Sequence, residues 1–262
     1  MDISLHHKRA LVCGSTQGIG QATALELASC GASVVLLARN EEKLKAVLQT
    51  LDTSKGQQHA YIVADHSRPD ELRERVTNFL SSHGAVHVLI NNTGGPPGGP
   101  ITKARPEEFT SAFANHLLSN HHLAQAVLEG MKAEKYGRII NVISTSVKQP
   151  LKGLGVSNTV RAAVANWAKT LAGEVAPFGI TVNNVLPGAT ATQRLHSIIR
   201  NKSEAAGHAE EAVAQEMLDE IPMARFADPS EVANAIAFLA SPAAGYITGI
   251  NLPVDGGRTG CL

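Results

Sequence analysis

Short apolar runs bounded by glycine, proline or polar clusters alternate along this chain with longer segments whose apolar residues recur every three or four positions. Residues 9–13, 33–38, 60–65, 86–92, 138–143 and 180–186 are near-continuous apolar runs, the pattern of strands buried on both faces. Between them the spacing predicts helices: one ending near Gly31, one over 41–51, one opened by Pro69, a long one over 106–135, and an Ala-rich one before Gly179. This alternation predicts an α/β chain of right-handed βαβ units, a Rossmann-type doubly wound parallel sheet with helices on both faces. Segment 193–220, rich in Ala, Glu and His at helical spacing, reads as a mobile helical lid or as a fixed surface helix. Asp228 and Pro229 are placed to cap and open a last helix that stops before Pro242, and a final strand follows within 246–257.

The first strand runs straight into Gly14-Ser15-Thr16-Gln17-Gly18-Ile19-Gly20 and a helix start. Glycines there allow close backbone approach, and the free N–H groups of the helix favour a pyrophosphate, so this turn is a candidate dinucleotide site. Glycine turns also arise for purely steric reasons. The second strand ends in Ala38-Arg39. In dinucleotide folds an acidic residue there accepts from a ribose 2′-hydroxyl, whereas an arginine suits a 2′-phosphate, so Arg39 favours NADP(H) over NAD(H). The alternative is an arginine that caps the strand in solvent. Loop 94–100, Gly-Gly-Pro-Pro-Gly-Gly-Pro, follows the fourth strand, where open α/β sheets bind ligands; a plain crossover loop is the other reading.

Taken together, the Gly-x-x-x-Gly-x-Gly turn, Asn91-Asn92-Thr93-Gly94, Ser144 after the fifth strand, Pro187-Gly188 and Val254-Asp255-Gly256-Gly257 resemble the short-chain dehydrogenase/reductase family, and within it the 3-oxoacyl-carrier-protein reductases. The resemblance runs from Arg9 to Gly257. It implies that Asp65, with its neighbour His66, meets the adenine, although Asp65 also fits a helix-entry cap. It further implies that Asn92 and Gly94 lie beside the cofactor and that Asn115 completes a catalytic tetrad through a bound water. Pro187, Gly188, Thr190 and Thr192 would meet the nicotinamide carboxamide. A homotetramer is implied first, a dimer next.

The same resemblance exposes a departure. The family's Tyr-x-x-x-Lys pair falls on Ser157 and Arg161, with Ser157 thirteen residues after Ser144 and twenty-two before Gly179, so no gap is needed. A serine hydroxyl is a far weaker acid than a phenol with its pKa near 10. Arg161 can hydrogen-bond a ribose but stays protonated and cannot relay protons. Lys148, four residues after Ser144, is the candidate substitute as general acid or clamp for a developing alkoxide; a solvated loop lysine is the alternative. The expected activity is an NADP(H)-dependent reduction of a ketone to a secondary alcohol with a nonstandard proton donor. A catalytically silent NADP(H) sensor or assembly protein, and a non-redox enzyme using Ser144, Lys148 and Arg161 on an anionic substrate, are the alternatives.

Composition narrows the rest. At 262 residues, 44% hydrophobic and 18% charged, the chain suits a single domain, with a cofactor half over about 1–135 and a catalytic half over about 136–262. The formal net charge of zero gives no electrostatic ground for nucleic acid or an anionic membrane as partner. Without a long apolar run or a leader-like start, a cytoplasmic protein acting on a small carbonyl or alcohol substrate is expected. Three cysteines match neither a disulfide framework nor a zinc motif, and His116, His121 and His122 lack companion ligands at metal spacing, so packing or surface histidines and no metal site are expected.

Overall fold

Alternate residues of each strand enter opposite cores. Ala10 and Val12 of β1 (Arg9–Cys13), Val34 and Leu36 of β2 (Ser33–Ala38), Val88 and Ile90 of β4 (Val88–Asn91), and Ile140 and Val142 of β5 (Gly137–Val142) pack into one cluster. Their neighbours Leu11, Cys13, Val35, Leu37, Leu89 and Ile139 pack into the other. A strand apolar on both sides is stable only with helices over both faces. The computed structural model, which describes residues 1–261, has that arrangement. With β3 (Ala60–Val63), β6 (Ile180–Pro187) and β7 (Asn251–Val254), the strands form one parallel sheet in the order β3-β2-β1-β4-β5-β6-β7.

Helices α1 (Gly18–Ser29), α2 (Glu41–Leu48) and α9 (Pro229–Ala240) cover the first face through Ala24, Leu27, Leu44, Val47, Val232 and Ile236. Helices α3 (Pro69–His83), α5 (Ser119–Glu134) and α6 (Gly155–Val175) cover the second through Leu72, Val76, Leu123, Val127, Ala168 and Ala172. Asn40 caps α2 by accepting from Lys43 N–H at 2.9 Å, and Asp228 caps α9 in a box with Glu231.

The expected long helix over 106–135 runs without a gap but carries a π turn. Helix α4 (Pro106–Phe113) is joined to α5 by a π-helical segment, Ala114–Leu118, that carries Asn115 and His116. The fully buried Ser119 donates its hydroxyl back to the Asn115 carbonyl at 2.5 Å. A buried hydroxyl on the carbonyl four residues earlier accompanies the wider turn here, and π segments of this kind concentrate at functional sites. Segment 193–220 forms two helices, α7 (Gln193–Ala206) and α8 (Glu210–Asp219), whose contact is a small apolar cluster of Leu195, Ile199, Val213 and Met217. Among the described residues no helix is long and apolar enough to cross a membrane.

Candidate active site

The direction of crossing reverses between β1 and β4, and a crevice opens beyond their carboxyl ends. Its floor is the turn after β1. Gly14 and Gly18 hold φ of 59° and 54°, conformations that disfavour a side chain. A Cβ on Gly14 would lie 2.6 Å from the Asn92 carbonyl oxygen, and one on Gly20 would lie 2.1 Å from the Gly14 oxygen. Asn92 stitches the two loops together, its Nδ2 donating to the Cys13 carbonyl at 3.2 Å. Ser15 is buried and donates to the Leu37 carbonyl at 3.4 Å, whereas Thr16 is half-buried and Gln17 exposed. Extended Gln17 precedes α1 without a side-chain cap, and the half-buried Ile19 packs against the first core. The first-turn N–H groups of α1 are therefore left for an anion.

At the end of β2, Arg39 is 78% exposed in its side chain and reaches Asp65 at 3.9 Å. Asp65 does not cap a helix. The N-terminal cap position of α3 is Arg68, and Asp65 instead accepts from Ser67 N–H at 2.9 Å, so the helix-entry reading is corrected to a turn. Burial raises the Asp65 carboxyl, but the hydrogen bonds from Ser67 and the charge of Arg39 outweigh it and hold the group below its ordinary value. His66 turns inward, with Nδ1 3.2 Å from the Ser119 hydroxyl and Nε2 buried without a partner. Burial lowers it to about 4, so it is neutral at pH 7.

Helix α6 brings its two departures to the end of β5. Ser157 is half-buried in the first turn, while Arg161, one turn on, is 7% exposed and donates Nη1 to the Val142 carbonyl at 3.0 Å. Val142 is two residues before Ser144, so this bond anchors the guanidinium beside the serine. Ser144 is half-buried, and its hydroxyl oxygen accepts from Ser146 N–H at 3.1 Å, leaving the hydroxyl proton free. The Ser146 hydroxyl is buried without a partner. Burial, then the charge of Arg194, lowers Arg161 to about 10, which keeps it cationic at neutral pH. Lys148 follows the 3-10 turn Thr145–Val147 and is half-buried. Its carbonyl accepts the Cys261 thiol at 3.7 Å, which lays the chain terminus against this loop.

Loop 94–100 is fastened to the start of α6 rather than crossing freely. Gly99 N–H donates to the Gly153 carbonyl at 2.7 Å, and Gly155 N–H donates back to the Gly99 carbonyl at 3.1 Å. Exposed Gly94 begins the loop. On the far side of the crevice, Gly188 N–H donates to the Val254 carbonyl at 2.9 Å, just after Pro187 ends β6. Thr190 is buried and bonds back to the Gly188 carbonyl at 3.2 Å. Thr192 caps α7 through Leu195 N–H, and its Cγ2 lies 3.1 Å from where a Cβ on Gly18 would be. The glycine turn and the start of α7 thus meet.

Two features of the site carry no local sequence signal. Buried His116 lies 2.5 Å from the Thr93 hydroxyl, and burial, followed by the charges of Arg161 and His66, lowers it to about 3. Arg194, in the first turn of α7, donates to the Pro96 carbonyl at 2.8 Å and so ties segment 193–220 to loop 94–100. Among the described residues no group of three His, Cys, Asp or Glu is placed to hold a metal ion.

Residues 14–259 match a family model described as enoyl-(acyl carrier protein) reductase. The chain is similar to a 3-oxoacyl-[acyl-carrier-protein] reductase of Haemophilus influenzae, 36% identical over 250 residues that cover 95% of this chain and 97% of that one. Among solved structures it is similar to L-sorbose reductase from Gluconobacter frateurii complexed with NADPH and L-sorbose, with a TM-score of 0.93, 32% identity and 100% of both chains covered. It is also similar to YwfH, an NADPH-dependent reductase involved in bacilysin biosynthesis, with a TM-score of 0.91, 30% identity and coverage of 97% and 99%.

Proposed function

Since this chain belongs to the short-chain dehydrogenase/reductase family, we propose that it is an NADP(H)-dependent oxidoreductase that interconverts a ketone and a secondary alcohol. The observation that carries the reading is the glycine cradle at the crossover point, where a side chain on Gly14 or Gly20 would collide with backbone, set opposite Ser144 and Arg161. Such a cradle fits a pyrophosphate laid on the uncapped start of α1. Two similar structures, one an NADPH-dependent reductase and one complexed with NADPH, and Arg39 at the end of β2, support NADP(H) as the nucleotide.

In this reading Gly14, Ser15, Thr16, Gln17, Gly18, Ile19 and Gly20 line the phosphates, and Arg39 meets the 2′-phosphate. Asp65 and His66 border the adenine, while Asn92, Gly94, Pro187, Gly188, Thr190 and Thr192 border the nicotinamide half. When bound, the nicotinamide supplies hydride to the carbonyl carbon in the reductive direction and leaves oxidised. Ser144 donates its hydroxyl proton as a hydrogen bond to the carbonyl oxygen. Arg161, permanently charged and fixed on Val142, holds the ribose and stabilises negative charge developing on that oxygen. The proton that completes the alcohol comes from a group other than Ser157, and Lys148 is our candidate, with Asn115 holding a water behind the site. The segment 193–220 acts as lid over a single domain. We assign the protein to the cytoplasm as a homo-oligomer, the tetramer before the dimer.

Ser157 favours one second reading, a silent NADP(H)-binding protein, because a serine there neither reaches as far as a phenol nor ionises like one. Titration with NADPH and NADH, followed by an assay of NADPH consumption with acetoacetyl thioesters, small diketones and acetoacetate, separates the two. Consumption abolished by Ser144→Ala is the expected result. NADPH binding with no consumption across the panel would favour the silent protein, and no binding would overturn both.

A further inference from the structure

Two arginines converge on Gly95. A Cβ built on that glycine would lie 3.6 Å from Nη2 of Arg161 and 3.6 Å from Nη2 of Arg194. Neither arginine has an ion pair among the described residues. Each is held by one backbone carbonyl, Val142 for Arg161 and Pro96 for Arg194, which leaves most of the ten N–H groups of the two guanidinium forks uncommitted to protein. Burying a cation as deeply as Arg161 without a counter-charge is costly, and a second cation beside it adds repulsion.

The surrounding chain supplies no relief. Residues 88–104, 137–161 and 180–203, which make the carboxyl ends of β4, β5 and β6 and the loops after them, contain no Asp or Glu, although the whole chain is formally neutral. Asp255, beside Gly188, has its carboxylate engaged by the N–H groups of Gly257 and Thr259. Arg194 is open to solvent, but Arg161 is buried, and a ligand anion would supply the negative charge it lacks.

We propose that Arg161 and Arg194 form a carboxylate subsite, so that the ketone reduced here is an oxo acid bound as its free anion; this rests on the reductase reading of the same crevice. A carboxylate matches paired guanidinium forks in geometry and charge, whereas a neutral thioester leaves Arg194 without a counter-charge and offers Arg161 only the charge developing on the carbonyl oxygen. Arg194 sits on the lid segment and Arg161 on α6, so an anion between them draws α7 toward the catalytic serine and reports the correct substrate to the lid. The uncapped start of α1 already provides for the pyrophosphate, which frees Arg194 for the substrate.

The test has two arms on the full-length protein. In calorimetry at saturating NADP⁺, succinate should bind and dimethyl succinate should not. Arg194→Gln should weaken succinate by about tenfold or more while NADP⁺ affinity holds, and Arg194→Lys should recover part of the loss. In the kinetic arm, acetoacetate should be preferred to methyl acetoacetate, with the preference collapsing in Arg194→Gln through KM. Equal handling of acid and ester overturns the subsite and leaves the reductase standing. Loss of NADP⁺ affinity in Arg194→Gln assigns the residue to the cofactor and also overturns it. Arg194-dependent succinate binding without any NADPH consumption keeps the subsite and removes the reductase reading.

Discussion

Gly20 and Arg39 show how much a single position decides. An alanine at 20 would put its Cβ 2.1 Å from the Gly14 carbonyl and 2.6 Å from Asn92 Nδ2, and neither can withdraw without opening the joint between the β1 and β4 loops. Overpacking of this kind costs about 1–3 kcal/mol, so Gly20→Ala should weaken NADPH by roughly 10–100-fold in a fluorescence titration while the chain still folds. Arg39 has a single carboxylate near it, at 3.9 Å, and is mostly in solvent. Arg39→Ala should therefore leave stability and NADH binding nearly unchanged and weaken NADPH by about tenfold or more, the worth of a hydrogen bond to a charged group. Equal losses for both nucleotides would remove Arg39 from 2′-phosphate recognition. Both residues were legible in the sequence because their signal is local: a glycine spacing, and a strand end. Arg194 and His116 were not, because the first finds its partner 98 residues away and the second 23 residues away. The absence of acidic residues from 180–203 was the signal available for Arg194, masked by the neutral total.

Among the elements, the four strands β4 to β7 are joined by side chains as well as backbone. Asn91 Nδ2 donates to Asn141 Oδ1 at 2.9 Å, Asn141 Nδ2 to Asn184 Oδ1 at 2.9 Å, and Asn184 Nδ2 to Asn251 Oδ1 at 2.8 Å. These residues face one another in register across every pairing. Asn91, Asn141 and Asn184 are buried, so each unmade bond would strand a polar group away from water. Asn141→Leu removes the centre of the ladder and leaves Asn91 Nδ2 and Asn184 Oδ1 without partners. It should cost about 2–4 kcal/mol in denaturant unfolding. Adding Asn91→Leu should cost less than its own single change, because the donor it deletes is already stranded. Strict additivity would mean the ladder is not a coupled unit. The hydrophobic pattern identified the strands correctly, and their asparagines were visible in it, but a ladder exists only once register is known. The π turn at 114–118 was hidden for a related reason. Helical spacing continues through it, and the Ser119 hydroxyl on the Asn115 carbonyl is no signature of the π turn, since Thr23 makes the same bond to Ile19 within regular α1.

For the whole molecule, the cluster behind the crevice sets a dependence on pH. His66 and His116 are lowered to about 4 and about 3, in both cases chiefly by burial; Arg161 and His66 add to the effect on His116, while Asp65 opposes it on His66. An unfolded histidine titrates near 6.5, so below that pH the unfolded chain takes up protons that the folded chain refuses. Stability from these groups is thus complete above pH 6.5 and is lost as pH falls through 6.5 toward 4 for His66 and toward 3 for His116. Each should remove about 2 kcal/mol between pH 6.5 and 5. The carboxylates held below their ordinary values, Glu231 at about 2 through Arg225 and the Asp228 N–H, and Asp65 through Ser67 and Arg39, start to act only near and below pH 4.5. The interval from 6.5 to 4.5 therefore belongs to the histidines. Denaturant unfolding across that interval should show a steep decline, to which His87, also lowered by burial, adds, and His116→Gln should flatten it in part even where it lowers stability at pH 7. A decline that begins only below pH 4.5, or one that His116→Gln leaves unaltered, would mean that the cluster admits water and that His116 is protonated in the folded chain. In that case Arg161 would not lie in the dry, counter-ion-free setting that gives it its hold on an anion.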